Sequence, residues 1–450
     1  MILGDPEKAN LLNSYFVSVG TIDNGVLPPL PVLVEEADSK LDLITYRTQQ
    51  IRLILKKLKN KISSGPDGLP PILFHNLANQ LAYPLTTIFN LFMQAGTVPD
   101  IWRQARVTPI FKKGSSSVTK NYRPISLTCV GCKIFETAIK TVLVPFLEGK
   151  KLISVNQHGF RPGHSTCLNL LESLNDWTLN LDSKIDTFVA HIDFARAFDS
   201  VSLPKLVHKL KWAGINGSLL SCIESLLFNR RQQVKVGNSL SNLETVISGV
   251  PQGSVLGPIL FIFYINDITN INDQSCTPKL YADDLKAYNS GINDSDGTKF
   301  KKSLNDIANW AETWQLPISS EKSKYLLISN KKRNPEPVLH FQLHGSDLPQ
   351  TSEVIDLGVN FNSKLNFSDH ISSTIAKAKQ RLFLLRKICL SKNPTIKPNS
   401  VLKLMFCPYS SIAPQFGTLP TFQIFDSLNP SKECSQKSWQ AIKASIIQCA

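Results

Sequence analysis

Lys279-Leu280-Tyr281-Ala282-Asp283-Asp284-Leu285-Lys286-Ala287-Tyr288 decides how this chain is read. Apolar residues flank two adjacent carboxylates, the pattern of two short strands joined by a tight turn. Like charges so close repel, and each carboxyl is pushed up in pKa unless a cation compensates. A solvated acidic turn has the same residues. A second strand pattern, Thr187-Phe188-Val189-Ala190-His191-Ile192-Asp193, ends in an acid among apolar neighbours. Alone, Asp193 reads more often as a helix N-cap or ion-pair partner than as a ligand, since a carboxylate leaving water needs some partner. Together, Asp193, Asp283 and Asp284 suit hard divalent ions that prefer oxygen, Mg²⁺ or Mn²⁺. Two such ions about 3.5–4 Å apart activate an attacking hydroxyl and stabilise a leaving pyrophosphate.

Between these acids lies Ser248-Gly249-Val250-Pro251-Gln252-Gly253-Ser254-Val255-Leu256-Gly257-Pro258, running into an apolar stretch that ends at Ile265. Its glycines allow a backbone to approach a ligand closely; a turn with no ligand is the equal alternative.

Working outward, 450 residues exceed one compact core and predict a body of two or three lobes. The formal net charge of +14 points to a polyanionic partner, because Lys and Arg on phosphates release counterions, although an ordinary basic protein has the same balance. Nine cysteines, an odd and scattered set, suit a reducing compartment. Cys129 and Cys132 have metal-ligand spacing, but no second pair follows, and packing is the preferred reading. No signal-peptide pattern opens the chain, and Val255 to Ile265 is too short to span a bilayer. The expectation is an intracellular protein, in nucleus or cytoplasm, not secreted and without a membrane partner.

The Pro-rich patch Val26 to Val34 reads as a linker between short helices. Ile51, Ile54, Leu55 and Leu58 have helical spacing, and Ser63 to Gly68 breaks that helix. A short strand, Arg106 to Phe111, runs into Lys112-Lys113-Gly114. A helical stretch surrounds Trp310 and Trp314. The last regular element, Ile371 to Cys389, has an apolar stripe of Ile371, Ile375, Ala378, Leu382, Leu385 and Cys389. From residue 370 to the end, eleven Lys and Arg face only Asp426 and Glu433.

These blocks, in this order, resemble reverse transcriptases. Asp193-Phe194-Ala195-Arg196-Ala197-Phe198-Asp199, Gly249-Val250-Pro251-Gln252-Gly253 and Tyr281-Ala282-Asp283-Asp284 are similar to blocks A, B and C of that family. Asn121-Tyr122-Arg123-Pro124-Ile125-Ser126-Leu127, Gln157 to Thr166, Ser64 to Gly68 and Trp310 to Leu316 resemble non-long-terminal-repeat (LINE-type) retrotransposons. So does Asn13 to Gly25, and the resemblance covers about residues 5–390.

The resemblance implies an α+β right-hand polymerase of fingers, palm and thumb, with an antiparallel-sheet palm. The expected divisions are an N-terminal linker segment over 1–50, fingers over 51–185, and palm over 186–345 with a return to the fingers near 216–250. Primer grip and thumb helix follow over 346–390, with the grip at Leu357-Gly358, and then an irregular basic tail over 391–450. The implied metal ligands for two Mg²⁺ (or Mn²⁺) ions are Asp193, Asp283, Asp284 and the backbone carbonyl of Phe194. Phe198 would exclude a ribose 2′-hydroxyl, and Gln252 and Gly253 would pack along nucleotide and template. Lys112 (or Lys113) and Arg123 would grip the triphosphate. Arg161 would contact the nucleic-acid backbone or order the fingers. Lys322 would protonate the leaving pyrophosphate, although Ser319 stands where relatives often have Asn.

The implied activity is RNA-directed DNA synthesis from dNTPs on an RNA template with a DNA primer, in retrotransposition; oligomeric state is left open. The sequence begins after the place of the family's endonuclease, and no ribonuclease H pattern appears, which suggests a truncated copy. A catalytically silent nucleic-acid-binding remnant is the alternative. An RNA-templated RNA polymerase would share the acids, but Phe198 and Ala282 count against it.

Overall fold

The computed structural model describes residues 4–30, 40–270, 276–289, 294, 297–331 and 340–390, with side chains of the last helix described to residue 383. The expected tail over 391–450, stripe positions Leu385 and Cys389, and the end of the Pro-rich patch lie outside the described residues.

The chain opens with α1 (Asp5–Ser18), which has Pro6 in its first turn beside Asp5 and Glu7, where missing donors and negative charge suit a helix start. In α2 (Thr48–Lys56) the expected stripe buries Ile51 and Leu55. Helices α3 (Pro71–Asn76) and α4 (Ala78–Ala95) follow, and α4 stops at Gly96, whose φ of 66° is cheap only without a Cβ. Next come β1 (Gln104–Phe111), β2 (Tyr122–Leu127), α5 (Val130–Gly149) and α6 (Thr166–Asp182). Thr187–Ile192 forms β3, with every residue but His191 buried, as in a strand covered on both faces. After it come α7 (Ala197–Ser200), α8 (Leu203–Trp212), α9 (Gly217–Leu227), β4 (Arg230–Val236), β5 (Ser239–Leu240) and β6 (Glu244–Val246). The apolar run becomes α10 (Gly257–Ile265), buried at every position but Pro258. The acidic stretch forms β7 (Thr277–Tyr281) and β8 (Asp284–Tyr288), followed by α11 (Thr298–Thr313) and β9 (Lys324–Ile328). The short strands β10 (Phe341–Leu343), β11 (Ser346–Leu348), β12 (Gln350–Thr351), β13 (Glu353–Asp356) and β14 (Val359–Asn362) precede α12 (Ser368–Leu390).

One sheet has the order β12-β9-β3-β8-β7, with β3 antiparallel to both β8 and β9. The expected antiparallel sheet holds except at its edge, where β12 runs parallel to β9. The chain reaches β12 through the β10–β11 hairpin, and such an intervening crossover lets it re-enter in the same direction. A second sheet joins β2, β1, β4 and β5, with β6 also on β4; β1 and β4 are parallel.

Among the described residues, those up to 164 and from 179 to 351 form one compact unit, and those from 165 to 178 with 352–390 form another. In the first, a continuous buried cluster reaches from Ile44 to Leu348 and includes Phe135, Phe188, Phe261 and Tyr325. Lys209 is 3% exposed within it, bonded to Asp267 Oδ1 at 2.5 Å and lying 3.6 Å from the Trp314 ring centroid. Trp310 Nε1 also donates to Asp267 Oδ1, so the tryptophan block packs around an ion pair whose lysine is buried and whose aspartate is half-buried.

Residues 5–30 make specific contacts within the first unit. Leu12 and Phe16 of α1 pack with Val107 and Val234, and Asn13 is bonded to Gln232 and Asn242. Beyond α1, Thr21 N donates to Ser248 Oγ at 2.8 Å, Ser202 bonds Asp23, and Lys205 bonds Asn24 and Val26.

In the second unit, β13 and β14 form an antiparallel hairpin whose turn residues Leu357 (φ 45°) and Gly358 (φ 91°) are both left-handed. Trp177 and Phe361 meet edge to face at 5.4 Å. On α12 the stripe is not buried as its spacing predicts: Ile371 is 43% exposed, and Ile375, Ala378 and Leu382 are half-buried. Periodicity marks an apolar face but does not supply its cover.

Candidate active site

Asp193 leaves the end of β3 with its backbone tied on both sides. Ser319 N donates to Asp193 O at 2.8 Å, and Asp193 N donates to Ser323 Oγ at 3.2 Å. Ser319 does this with its main chain. Lys322 Nζ donates to Asp193 Oδ1 at 2.9 Å, so the lysine expected at a leaving group is ion-paired with an acid expected to bind metal.

Asp283 sits at the tip of the β7–β8 hairpin. Tyr281 and Asp284 are the closing pair, leaving Ala282 and Asp283 as the two turn residues. Ala282 has φ 59°, a left-handed conformation that costs a non-glycine residue roughly 1–2 kcal/mol. Burial pushes the Asp283 carboxyl above its ordinary value, and the nearby Asp193 carboxylate adds to this, while Arg123 and Lys112 oppose it. Asp193 and Asp283 therefore lie within each other's field. Asp284 is exposed on the first residue of β8. Among the described residues no three His, Cys, Asp or Glu side chains draw together into a metal-holding group. The Asp193 and Asp283 carboxylates feel one another electrostatically.

Lys112, exposed at the end of β1, is held below the usual lysine range by partial burial, by Arg123 and by Lys322, with Asp193 opposing. Arg123 stands across from Ile110 in the β1–β2 pairing. Three cations thus offset two crowded carboxylates, and the oxygen donors match a hard divalent ion. The residues present fit such an ion at Asp193 and Asp283.

Phe198 is half-buried, its ring stacked on Phe261 at 4.3 Å and 18° and met edge-on by Phe160 at 6.3 Å. The glycine-rich turn is fixed against it: Val250 N donates to Phe198 O at 2.8 Å, and Gly249 N to Val201 O at 2.8 Å. Gln252 O accepts from Ser126 N at 2.8 Å, and Gln252 Nε2 donates to both Asp199 oxygens at 3.1 and 3.2 Å. Gly253 has φ 117°, and a Cβ there would lie 2.4 Å from Ser126 O, so this glycine is required by close approach. Phe194 is buried and bridged to Ile318.

Arg161 is spent inside the protein. Its Nε and Nη2 donate to Glu148 at 2.8 and 2.6 Å, and its Nη1 to the carbonyls of Ser154 and Gln157 at 2.5 and 3.1 Å. Of its two expected roles, the geometry carries loop ordering. Cys129 and Cys132 are free and buried, their thiols pushed up by that burial, and packing accounts for both.

Sequence reasoning passed over three residues. Asp199 adjoins Phe198 and was quoted only as the end of a block, with no role attached. Glu136 appeared to be one polar residue of an apolar helix, yet it is buried and its Oε2 accepts from Val255 N at 3.0 Å beside the start of α10. Gln157 lay inside a quoted motif, with no charge to mark a role.

Residues 110–361 match the reverse transcriptase (RNA-dependent DNA polymerase) family. The probable RNA-directed DNA polymerase from transposon BS of Drosophila melanogaster is 28% identical over 354 residues, covering 77% of this chain and 39% of that protein. The probable RNA-directed DNA polymerase from transposon X-element of the same fly is 28% identical, covering 81% and 42%. The RNA-directed DNA polymerase from its mobile element jockey is 28% identical, covering 74% and 37%. The chain spans less than half the length of these curated relatives.

Proposed function

The chain belongs to the reverse transcriptase (RNA-dependent DNA polymerase) family, and from that premise we propose that it extends a DNA primer along an RNA template in retrotransposition, using dNTPs. The observation that carries this reading is the convergence of Asp193 and Asp283 with Lys112, Arg123 and Lys322, brought together from separate parts of the sequence. In this reading β3, β7, β8 and β9 belong to the palm and β1, β2 and β4 to the fingers. The β13–β14 hairpin serves as primer grip and α12 as thumb.

Asp193 and Asp283, with the Phe194 carbonyl and Asp284 at the side, would hold Mg²⁺ or Mn²⁺. Bound there, two divalent ions would activate the primer 3′-hydroxyl and neutralise the departing pyrophosphate. Lys112 and Arg123 bind the triphosphate through charge-assisted hydrogen bonds, which hold the α-phosphorus in line with the hydroxyl. Phe198 lies against the sugar and excludes a 2′-hydroxyl, while Asp199 orients the Gln252 amide beside it. Lys322 neutralises Asp193 and is placed to give a proton to the leaving group as that charge is taken over. Intracellular RNA and DNA are the partners this chemistry needs, and no described helix is long and apolar enough to cross a membrane.

The test is primer extension on an RNA template, with deoxy- and ribonucleotides in parallel. Template-directed addition of dNTPs, requiring Mg²⁺ or Mn²⁺, supports the reading. Duplex binding without extension would make the chain a silent nucleic-acid-binding remnant, and preference for ribonucleotides would make it an RNA polymerase.

A further inference from the structure

The Ala282–Asp283 turn is gripped by a residue from a distant part of the sequence. Gln157 is fully buried, and its Oε1 accepts from Ala282 N at 3.0 Å and from Gly159 N at 2.8 Å. Its Nε2 donates to Ala282 O at 3.4 Å, so one amide brackets the left-handed residue on both sides. The supporting loop is docked by main chain as well: His158 N donates to Leu280 O and Leu280 N to Asn156 O, both at 2.9 Å. Gly159 permits the contact, since a Cβ there would lie 2.3 Å from Ala282 N. Arg161 in turn fixes this loop, joining Glu148 to the carbonyls of Ser154 and Gln157.

We propose that Gln157 is a positioning residue that holds Ala282 left-handed and thereby aims the Asp283 carboxylate at the ion site shared with Asp193. The physical need is plain. A non-glycine residue at φ 59° favours relaxing to the right-handed side, and the Asp193 and Asp283 charges favour moving apart. A buried amide that satisfies both main-chain groups of Ala282 opposes both tendencies, because releasing it strands buried polar atoms. The acids of this turn would then depend on a neutral side chain 125 positions earlier. This inference rests on the polymerase reading, and its test is built to separate the two.

Wild type, Gln157→Met, Ala282→Gly and the double variant are compared in three measurements. These are primer-extension kcat with dNTP KM, Mn²⁺ affinity by electron paramagnetic resonance on the primer–template complex, and thermal unfolding. Gln157→Met should lower kcat and weaken Mn²⁺ binding by about 10–100-fold, the range for lost support of a ligand, with dNTP KM unchanged. Ala282→Gly in the same chain should recover part of both losses, since glycine adopts the left-handed turn without being held. If Gln157→Met does not fold, Gly159→Ala should give the same two losses by pressing a methyl on Ala282. Wild-type Mn²⁺ affinity and kcat in Gln157→Met would overturn the proposal. So would losses that follow the melting temperature and that Ala282→Gly leaves untouched. A wild type that binds Mn²⁺ but does not extend would defeat the polymerase reading alone, and the Mn²⁺ comparison would still judge Gln157.

Discussion

Phe198 is half-buried, with its ring stacked on Phe261, so truncating it separates two roles. As a sugar gate, Phe198→Val should raise ribonucleotide against deoxynucleotide kcat/KM, because discrimination is a difference between two transition-state energies. As a core ring it should instead cost about 3–5 kcal/mol of stability and depress both substrates together. The ratio of efficiencies, taken with the melting temperature, decides between them, and the gate predicts a changed ratio in a folded enzyme. Asp199, the next residue, is a titration probe. Burial pushes its carboxyl up to about 6 from an ordinary 3.8, while the Gln252 amide and Arg196 favour the ionised form. Between those values the folded state keeps a proton that the unfolded chain has released. Stability contributed by Asp199 is therefore lost as pH rises through that window. The melting temperature of wild type, minus that of Asp199→Asn, should fall from pH 4 to pH 6 and level off above; a flat difference would remove Asp199 from the buried pocket.

Strand β3 and the β7–β8 hairpin were legible because their signals are local: a mostly apolar six-residue segment ending at an acid, and paired strands around adjacent acids. The glycine-rich turn was legible as a turn but not in what it touches. Gly253→Ala tests that contact. A Cβ 2.4 Å from Ser126 O, on a backbone at φ 117°, should break the Ser126–Gln252 bond, costing about 1–3 kcal/mol of stability and raising dNTP KM. A neutral Gly253→Ala would show that the turn is free to shift. Other features escaped the sequence for physical reasons. The grip of Gln157 on Ala282 pairs residues remote in sequence through one neutral amide, which leaves no periodicity and no charge. Anchoring of residues 5–30 rests on single side-chain bonds such as Asp23 to Ser202, scattered among polar positions that look like loop. On α12 the reverse occurred: a clear stripe predicted burial, and Ile371 is exposed. Parallel pairing of β12 was also invisible, since direction depends on the path between strands and not on the strand itself.

Across the whole molecule, a net charge of +14 suits a phosphate-rich partner, and basic residues stand at Lys112, Lys113 and Arg123 of the first unit and along α12 of the second. Affinity for a primer–template duplex should therefore fall steeply with salt, log K declining by about 0.9 per phosphate neutralised, as titration of binding from low to high ionic strength would record. A flat response would mean that the charge is not used on phosphate. In the proposed reading, synthesis rests on a smaller part, the Asp193–Asp283 pair and the cations around it. The most direct measurement is RNA-templated primer extension by wild type and Asp283→Asn, which keeps the size of the side chain and removes its charge. The account predicts dNTP addition by wild type, and a loss of several tenfold steps in Asp283→Asn, each worth about 1.4 kcal/mol of barrier, with the fold and duplex affinity retained. Extension by Asp283→Asn at the wild-type rate would contradict it.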